Sequence, residues 1–220
     1  MKIHHMPQRS PEWHAIRIGK VTASEVVRVL AKIKTGEAAT RAGYRVEKAV
    51  EQVTGLSQSD QSIGEKPWVQ HGTATEGEAL AAYEASTGSL VERIGFVEHD
   101  TLAAGCSPDG FVDTDGMVEV KCPMTKTHLG YWADGFRVPP AYVPQITMAL
   151  WLTGRQWCDF VSYDPRLTAP LDRLRLFVVR HQRDEKAMMD MDRDVRAFLA
   201  EVNTYRAALL TLAEGIEVLA

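Results

Sequence analysis

Ser107-Pro108-Asp109-Gly110-Phe111-Val112-Asp113-Thr114-Asp115-Gly116-Met117-Val118-Glu119-Val120-Lys121 is the stretch on which the reading of this chain turns. Its middle, Asp113 to Gly116, is made of residues that close tight turns. The flanks, Ala103 to Val112 and Met117 to Lys121, are short and rich in β-formers, so the segment reads as a β-hairpin. Side chains alternate along a strand, which places Glu119 and Lys121 on one face. Whether Asp109 joins them depends on the parity of the connection. A two-residue loop at Asp115-Gly116 pairs Val112 with Glu119 and turns Asp109 away. An odd connection centred on Asp115 pairs Phe111 with Glu119 and Asp109 with Lys121, bringing all three together. The expectation is the odd connection, or a bend at Pro108.

Helices surround this hairpin. Ser10 to Arg17 reads as a helical turn broken at Gly19, and Thr22-Ala23-Ser24-Glu25 has the spacing of a capping box opening a helix to about Ala31. Thr40 can cap a helix through Val53 that stops at Gly55. Residues 56 to 66 read as a polar loop, and Thr73 to Thr87 as a helix ended by Gly88. Leu90 to Glu98 is a strand. Beyond the hairpin come a helix over 125 to 135, another over Pro139 to Thr153 closed by Gly154, and strands over Trp157 to Tyr163 and Leu171 to Arg180. The fold class is α/β, with a central mixed β-sheet flanked by helices. From Met188 the residues Met191, Val195, Phe198, Val202, Tyr205, Leu209, Leu212, Ile216 and Leu219 recur alternately every three and four positions. This a/d stripe marks a long C-terminal helix, about 182 to 214, that either lies across its own domain or meets another subunit.

The bulk properties bound the function. A chain of 220 residues with 45% hydrophobic and 25% charged residues reads as one folded domain, 1 to 220, with the C-terminal helix appended. Lys and Arg number 25 against 29 Asp and Glu, a net charge of −4, so any surface for a polyanion must be local. Cys106, Cys122 and Cys158 form no CxxC pair, which speaks against a structural zinc site and fits a reducing compartment. No apolar run is long enough for a membrane span, and MKIHHMPQRS lacks the apolar centre of a signal peptide. The expected location is cytoplasmic.

Two converging carboxylates without His or thiolate partners suit a hard divalent cation such as Mg²⁺, which takes oxygen ligands and acts on phosphates. Lys121 beside them can hold or help deprotonate an attacking water, so the constellation points to hydrolysis of a phosphodiester. The plain alternative makes Asp109 a turn residue and Glu119 the exposed partner of Lys121. No Walker A loop, HExxH or GxSxG elbow is present.

Further motifs decide between these readings. Glu12-Trp13-His14-Ala15-Ile16-Arg17-Ile18-Gly19, Thr22 to Glu25, Gly72 to Glu76 with Tyr83-Glu84, Cys106 to Gly110, Glu119 to Pro123, Tyr142 to Gln145 and Tyr163-Asp164-Pro165-Arg166 follow in order over about residues 9 to 186. Together they resemble the phage lambda exonuclease group, the YqaJ-like viral recombination nucleases of the PD-(D/E)xK superfamily. The resemblance implies a restriction-endonuclease-like core. It implies Asp109 and Glu119 as metal ligands with the Val120 carbonyl, Lys121 as the catalytic lysine and Glu76 as an additional helix-borne acid. Arg17, Ser24, Ser107 and Gln145 then hold a terminal 5′-phosphate.

Each of these has a bland counterpart: a solvated helix carboxylate for Glu76, a surface ion pair for Arg17, a helix-start residue for Ser24, a turn residue for Ser107, a polar helix residue for Gln145. Trp13, beside Arg17, is the tryptophan to watch. The resemblance further implies an exonuclease using two Mg²⁺ ions, with Mn²⁺ able to substitute. It would digest one strand of duplex DNA ends from the 5′ side, release mononucleotides and leave 3′ tails for recombination. The implied setting is a phage or prophage protein in a bacterial host, a toroidal homotrimer working with a single-strand annealing protein. The rivals are a structure-specific endonuclease of the same superfamily and a catalytically silent DNA-end-binding module; loss of Asp109, Glu119 or Lys121 would mark the latter, and all three are present.

Overall fold

The computed structural model describes residues 1–58 and 67–215. Two mixed sheets share one set of helices. The smaller sheet has strand order β1-β4-β5-β2, built from β1 (Lys2–His4), β2 (Val21–Thr22), β4 (Phe96–Glu98) and β5 (Ala104–Cys106). The larger runs β3-β6-β7-β8-β9, from β3 (Val91–Glu92), β6 (Gly110–Val112), β7 (Gly116–Lys121), β8 (Trp157–Tyr163) and β9 (Leu176–Gln182). The helices are α1 (Pro11–Arg17), α2 (Val26–Val29), α3 (Ala39–Thr54), α4 (Pro67–Thr87), α5 (Thr125–Ala133), α6 (Val143–Thr153) and α7 (Glu185–Gly215).

Strand β7 lies between antiparallel β6 and parallel β8, so both its edges are hydrogen-bonded within the sheet. Its even-numbered residues Val118 and Val120 pack with Ala79, Leu80 and Tyr83 of α4. On the other face Met117 joins the main core with Phe160, Phe177 and the α6 residues Ile146, Met148 and Leu150. α6 touches both sheets, and its first turn lies above the odd-numbered face of β7. Tyr83 of α4 donates to Asp159 at 2.7 Å, and Arg180 holds the same carboxylate through two bonds of 2.8 Å. A charged group this deep in a sheet is tolerated because it is fully hydrogen-bonded.

Several boundaries differ from the sequence reading. The hairpin connection is odd, as expected, but comprises Asp113-Thr114-Asp115 and pairs Val112 with Gly116, so it is centred on Thr114 rather than Asp115. Asp113 takes the left-handed conformation, φ 49°, that short-chain Asp tolerates. Leu90 to Glu98 and Ala103 to Val112 each divide into two strands that join different sheets. The capping box at Thr22 does not form: the segment is a 3-10 turn over Ala23–Glu25 followed by the single-turn α2, because Thr22 remains in strand conformation against Gly105. Helix α3 begins at Ala39 without a side-chain cap from Thr40. Helix α4 begins earlier than Thr73, α6 begins at Val143 rather than Pro139, and the strand expected from Leu171 starts at Leu176 after a 3-10 turn.

The stripe of α7 lies across its own chain in its first half. Met188, Met191, Val195, Phe198, Leu199 and Val202 are buried against α3 and α6, each contributing about 1.5–3 kcal/mol of burial. Leu212 is 62% exposed, and Ile216 and Leu219 lie outside the described residues, as does most of the loop expected over 56 to 66.

Candidate active site

The cleft is assembled where the two sheets meet. Parallel pairing of β2 with β5 sets Thr22 opposite Gly105, so Ser24 and Ser107, each two residues further on, emerge side by side. Ser10 caps α1 by accepting from the Trp13 N–H at 3.2 Å. That helix delivers Trp13 and Arg17 to the same place. The Trp13 indole donates to Ser107 Oγ at 2.8 Å and to the Gly95 carbonyl at 3.1 Å, while the Arg17 guanidinium lies over its ring, 4.1 Å from the centroid. Arg17 reaches Ser107 at 3.5 Å, Thr22 at 3.5 Å and Ser24 at 3.4 Å. Among the described residues these long contacts to hydroxyls replace a carboxylate partner, and burial lowers the pKa of the guanidinium. A desolvated cation ringed by hydroxyls is a place for an anion.

The odd-numbered face of β7 supplies the other wall. Continuing the hairpin register sets Asp109 across from Glu119. Asp109 Oδ2 accepts from the Val120 N–H at 2.6 Å, so the acid is held against the strand that carries Glu119. Glu119 is buried and its Oε1 accepts from Lys121 Nζ at 2.5 Å and from Gln145 Nε2 of α6 at 2.5 Å. Burial and the nearby charges of Glu119 and Glu76 push the Asp109 carboxyl up to about 8, against the opposing pull of Lys121 and the Val120 N–H. For Lys121, burial disfavours the ammonium but Glu119 and Asp109 outweigh it and raise its pKa. In this state Lys121 is a hydrogen-bond donor; a role as base requires the two carboxylates to be neutralised first.

Together Arg17, Ser24, Ser107, Asp109, Glu119, Lys121 and Gln145 line one cleft of about 180 Å³, with Trp13 and Arg9. Seven of the expected residues thus converge. Glu76 is not among the residues that line it: it accepts from Arg9 at 2.9 Å and from Arg93 at 3.0 Å at the rim, near enough for its charge to act on Asp109. Gln145 is turned to Glu119 rather than to Arg17.

Burial raises the thiol pKa of Cys106 and Cys158, which removes thiolate as a donor. Among the described residues no three His, Cys, Asp or Glu groups stand close enough to hold a metal ion. Two enclosed carboxylates with no thiolate donor beside them fit a hard cation that keeps several waters, and Asp109 and Glu119 are the groups that would hold it.

Sequence reasoning missed Gln8, whose amide donates to the carbonyls of Ile94 and Pro108, each at 2.9 Å, and so ties the amino-terminal segment to the turn that presents Asp109. It also missed Arg9. Their partners lie far along the chain, and no local pattern signals them.

The sequence pattern described as a YqaJ-like viral recombinase domain matches residues 12–156, which include every residue of the cleft just named except Gln8 and Arg9. The chain belongs to this family. Among solved structures, LHK-Exo in complex with dAMP is 38% identical, with a TM-score of 0.83 over 93% of this chain and 98% of that one. The alkaline exonuclease LHK-Exo from Laribacter hongkongensis is 37% identical, with a TM-score of 0.80 over the same shares. A phage-related exonuclease from Haemophilus somnus 129PT, 15% identical and covered to 96% by 86% of this chain, shares the fold at a TM-score of 0.63. No functionally curated protein matches. This YqaJ-like chain is a recombination-related nuclease.

Proposed function

We propose that the chain is a Mg²⁺-dependent exonuclease that digests the 5′ strand of duplex DNA ends, releases 5′-mononucleotides and leaves 3′ single-stranded tails. The observation that carries this is the joining of two chemistries in one cleft: an anion site at Arg17, Ser24 and Ser107, and the carboxylate-lysine group at Asp109, Glu119 and Lys121. Ser107 is two residues from Asp109, so a terminal phosphate held there places the next phosphodiester near the carboxylates. A relative 38% identical was solved with dAMP, a mononucleotide, which fits a mononucleotide product.

Divalent cations held by Asp109 and Glu119 would supply Lewis-acid stabilisation of the phosphoryl oxygens and lower the pKa of the attacking water. Mn²⁺ can substitute because it too is a hard, oxygen-seeking ion. Lys121 donates to the water or to a phosphate oxygen and neutralises charge that builds up there. Glu76, at the rim, joins the acids once its arginines find other partners. Gln145, held by Glu119, orients that carboxylate and borders the phosphate site. Each cut leaves a new 5′-phosphate that re-enters the Arg17 site, so one anchor and one cutting point set a step of one nucleotide.

A net charge of −4 makes a single subunit a poor trap for DNA. We therefore propose a closed homotrimer around the duplex, acting beside a single-strand annealing protein in a phage or prophage setting; a monomer by light scattering would exclude the ring. No described helix is long and apolar enough to cross a membrane.

The test compares wild type and Arg17→Ala on linear duplexes with 5′-phosphate or 5′-hydroxyl ends and on closed plasmid, with Mg²⁺ or chelator. The wild type should prefer the phosphate and Arg17→Ala should lose most of that preference, on the order of tenfold for one charge-assisted site. Cutting of closed plasmid would favour an endonuclease, and binding without cleavage a silent end-binding module.

A further inference from the structure

At the rim of the cleft two arginines, Arg9 and Arg93, share one carboxylate and are left idle by the exonuclease reading. Arg9 lines the same cavity as Asp109, Glu119 and Lys121, yet its partner is Glu76, whose other oxygen is taken by Arg93. Two guanidinium groups on one carboxylate leave a net positive charge at this rim. Each uses one terminal nitrogen in its bond to Glu76, and the side chains are 49% and 58% exposed, so further donors face solvent. Arg9 is also held at φ 68°, a conformation that a non-glycine residue adopts at a cost, and strain of this kind persists where the surroundings enforce it. The neighbouring Gln8 enforces it by bridging Ile94 and Pro108.

The order of groups along the cleft gives this pair a role. The segment 107–110 runs from one end to the other: Ser107 meets Arg17 at 3.5 Å, Asp109 is held to β7 by the Val120 N–H, and the β3–β6 register continued by one residue sets Arg93 across from Gly110. The Asp109 and Glu119 carboxylates therefore stand between Arg17 at one end and the Glu76 rim at the other. A strand anchored at Arg17 and cut at the carboxylates must leave past that rim, where a phosphate meets Arg9 and Arg93.

We propose that Arg9 and Arg93 form a second phosphate site, which grips the phosphodiester one step further into the strand than the scissile bond. The proposal rests on the exonuclease reading. Such a grip aligns the scissile phosphate from both sides and adds a phosphate contact that is independent of base sequence.

The test measures binding by fluorescence anisotropy in chelator, using 5′-phosphorylated duplexes. Counting the terminal phosphate as the first, the third phosphate of the 5′ strand is either ordinary or replaced by an uncharged methylphosphonate. The proteins are wild type and Arg9→Gly/Arg93→Gln; glycine accommodates the left-handed backbone, so the first change removes the side chain without disturbing the turn. Wild type should bind the neutral linkage about tenfold more weakly, the double variant should show less than about a twofold difference, and its salt slope should fall by roughly 1 to 2. An equal penalty in both proteins, or none in wild type, overturns the proposal. The exonuclease reading fails separately, and takes the proposal with it, if wild type shows no preference for a 5′-phosphate over a 5′-hydroxyl end.

Discussion

Replacing Asp109 by Asn should separate the stability of this fold from its chemistry. Burial, Glu119 and Glu76 push the Asp109 carboxyl from 3.8 up to about 8, so over that interval the native state holds a proton that the unfolded chain has released. A state that binds more protons is favoured by acid, so stability is highest below the unfolded value, falls as pH rises through the interval, and levels off above the folded value. At about 1.4 kcal/mol per pKa unit, the ceiling is roughly 6 kcal/mol. Asp109 keeps partial solvent contact, which screens its charge, and the expected loss is about 2–4 kcal/mol.

The Asp109→Asn amide cannot ionise, and its oxygen can still accept from the Val120 N–H. The variant should therefore match wild type near pH 4 and exceed it by about 2–4 kcal/mol at pH 9, while losing cleavage. Urea denaturation followed by tryptophan fluorescence, in chelator and at a series of pH values, reads the difference between the two proteins and cancels groups they share. Mg²⁺ at a hundred times its dissociation constant should then raise wild type by about 2.7 kcal/mol and leave the variant unmoved. A variant no more stable than wild type at pH 9 would refute the picture of an enclosed carboxylate pair awaiting a cation.

Other substitutions test neighbouring parts of the site. Lys121→Ala removes the ammonium that pairs with Glu119 and should abolish cleavage, by at least about a hundredfold, while DNA binding measured by anisotropy changes little. Gly116→Ala places a Cβ about 2.0 Å from the Trp157 ring, and the overpacking should lower stability by about 1–3 kcal/mol in urea titrations. An unchanged midpoint would mean that Trp157 can move, contrary to its packing against Arg180 at 3.5 Å.

Local rules reached the parts of this molecule that neighbours in sequence decide. The left-handed glycines Gly55, Gly88 and Gly154 that end three helices follow from single residues with particular backbone needs. Strand alternation put Glu119 and Lys121 on one face, whereas Asp109 joined them only under an odd connection, and the fold supplied it with Asp109 across from Glu119 rather than Lys121. The site residues Arg17, Ser24, Ser107 and Gln145 were reached through family motifs, since each by itself is compatible with an ordinary surface role. The half of α7 that docks on α3 and α6 was equally readable as a subunit contact, because an apolar stripe specifies burial without naming the covering surface.

The sequence by itself determined the α/β class, the hairpin and the face shared by Glu119 and Lys121, because these depend on periodicity and turn chemistry. Tertiary structure alone decided that the hairpin centres on Thr114, that its flanking segments divide between two sheets, and that Thr22 stays in a strand instead of capping a helix. It also decided that Glu76 meets Arg9 and Arg93, and that Trp13 joins Arg17 to Ser107. The reason is common to all of these. Each rests on contacts between residues distant in the chain, whose competition is settled by burial and by hydrogen-bond satisfaction in the folded whole rather than by any short pattern.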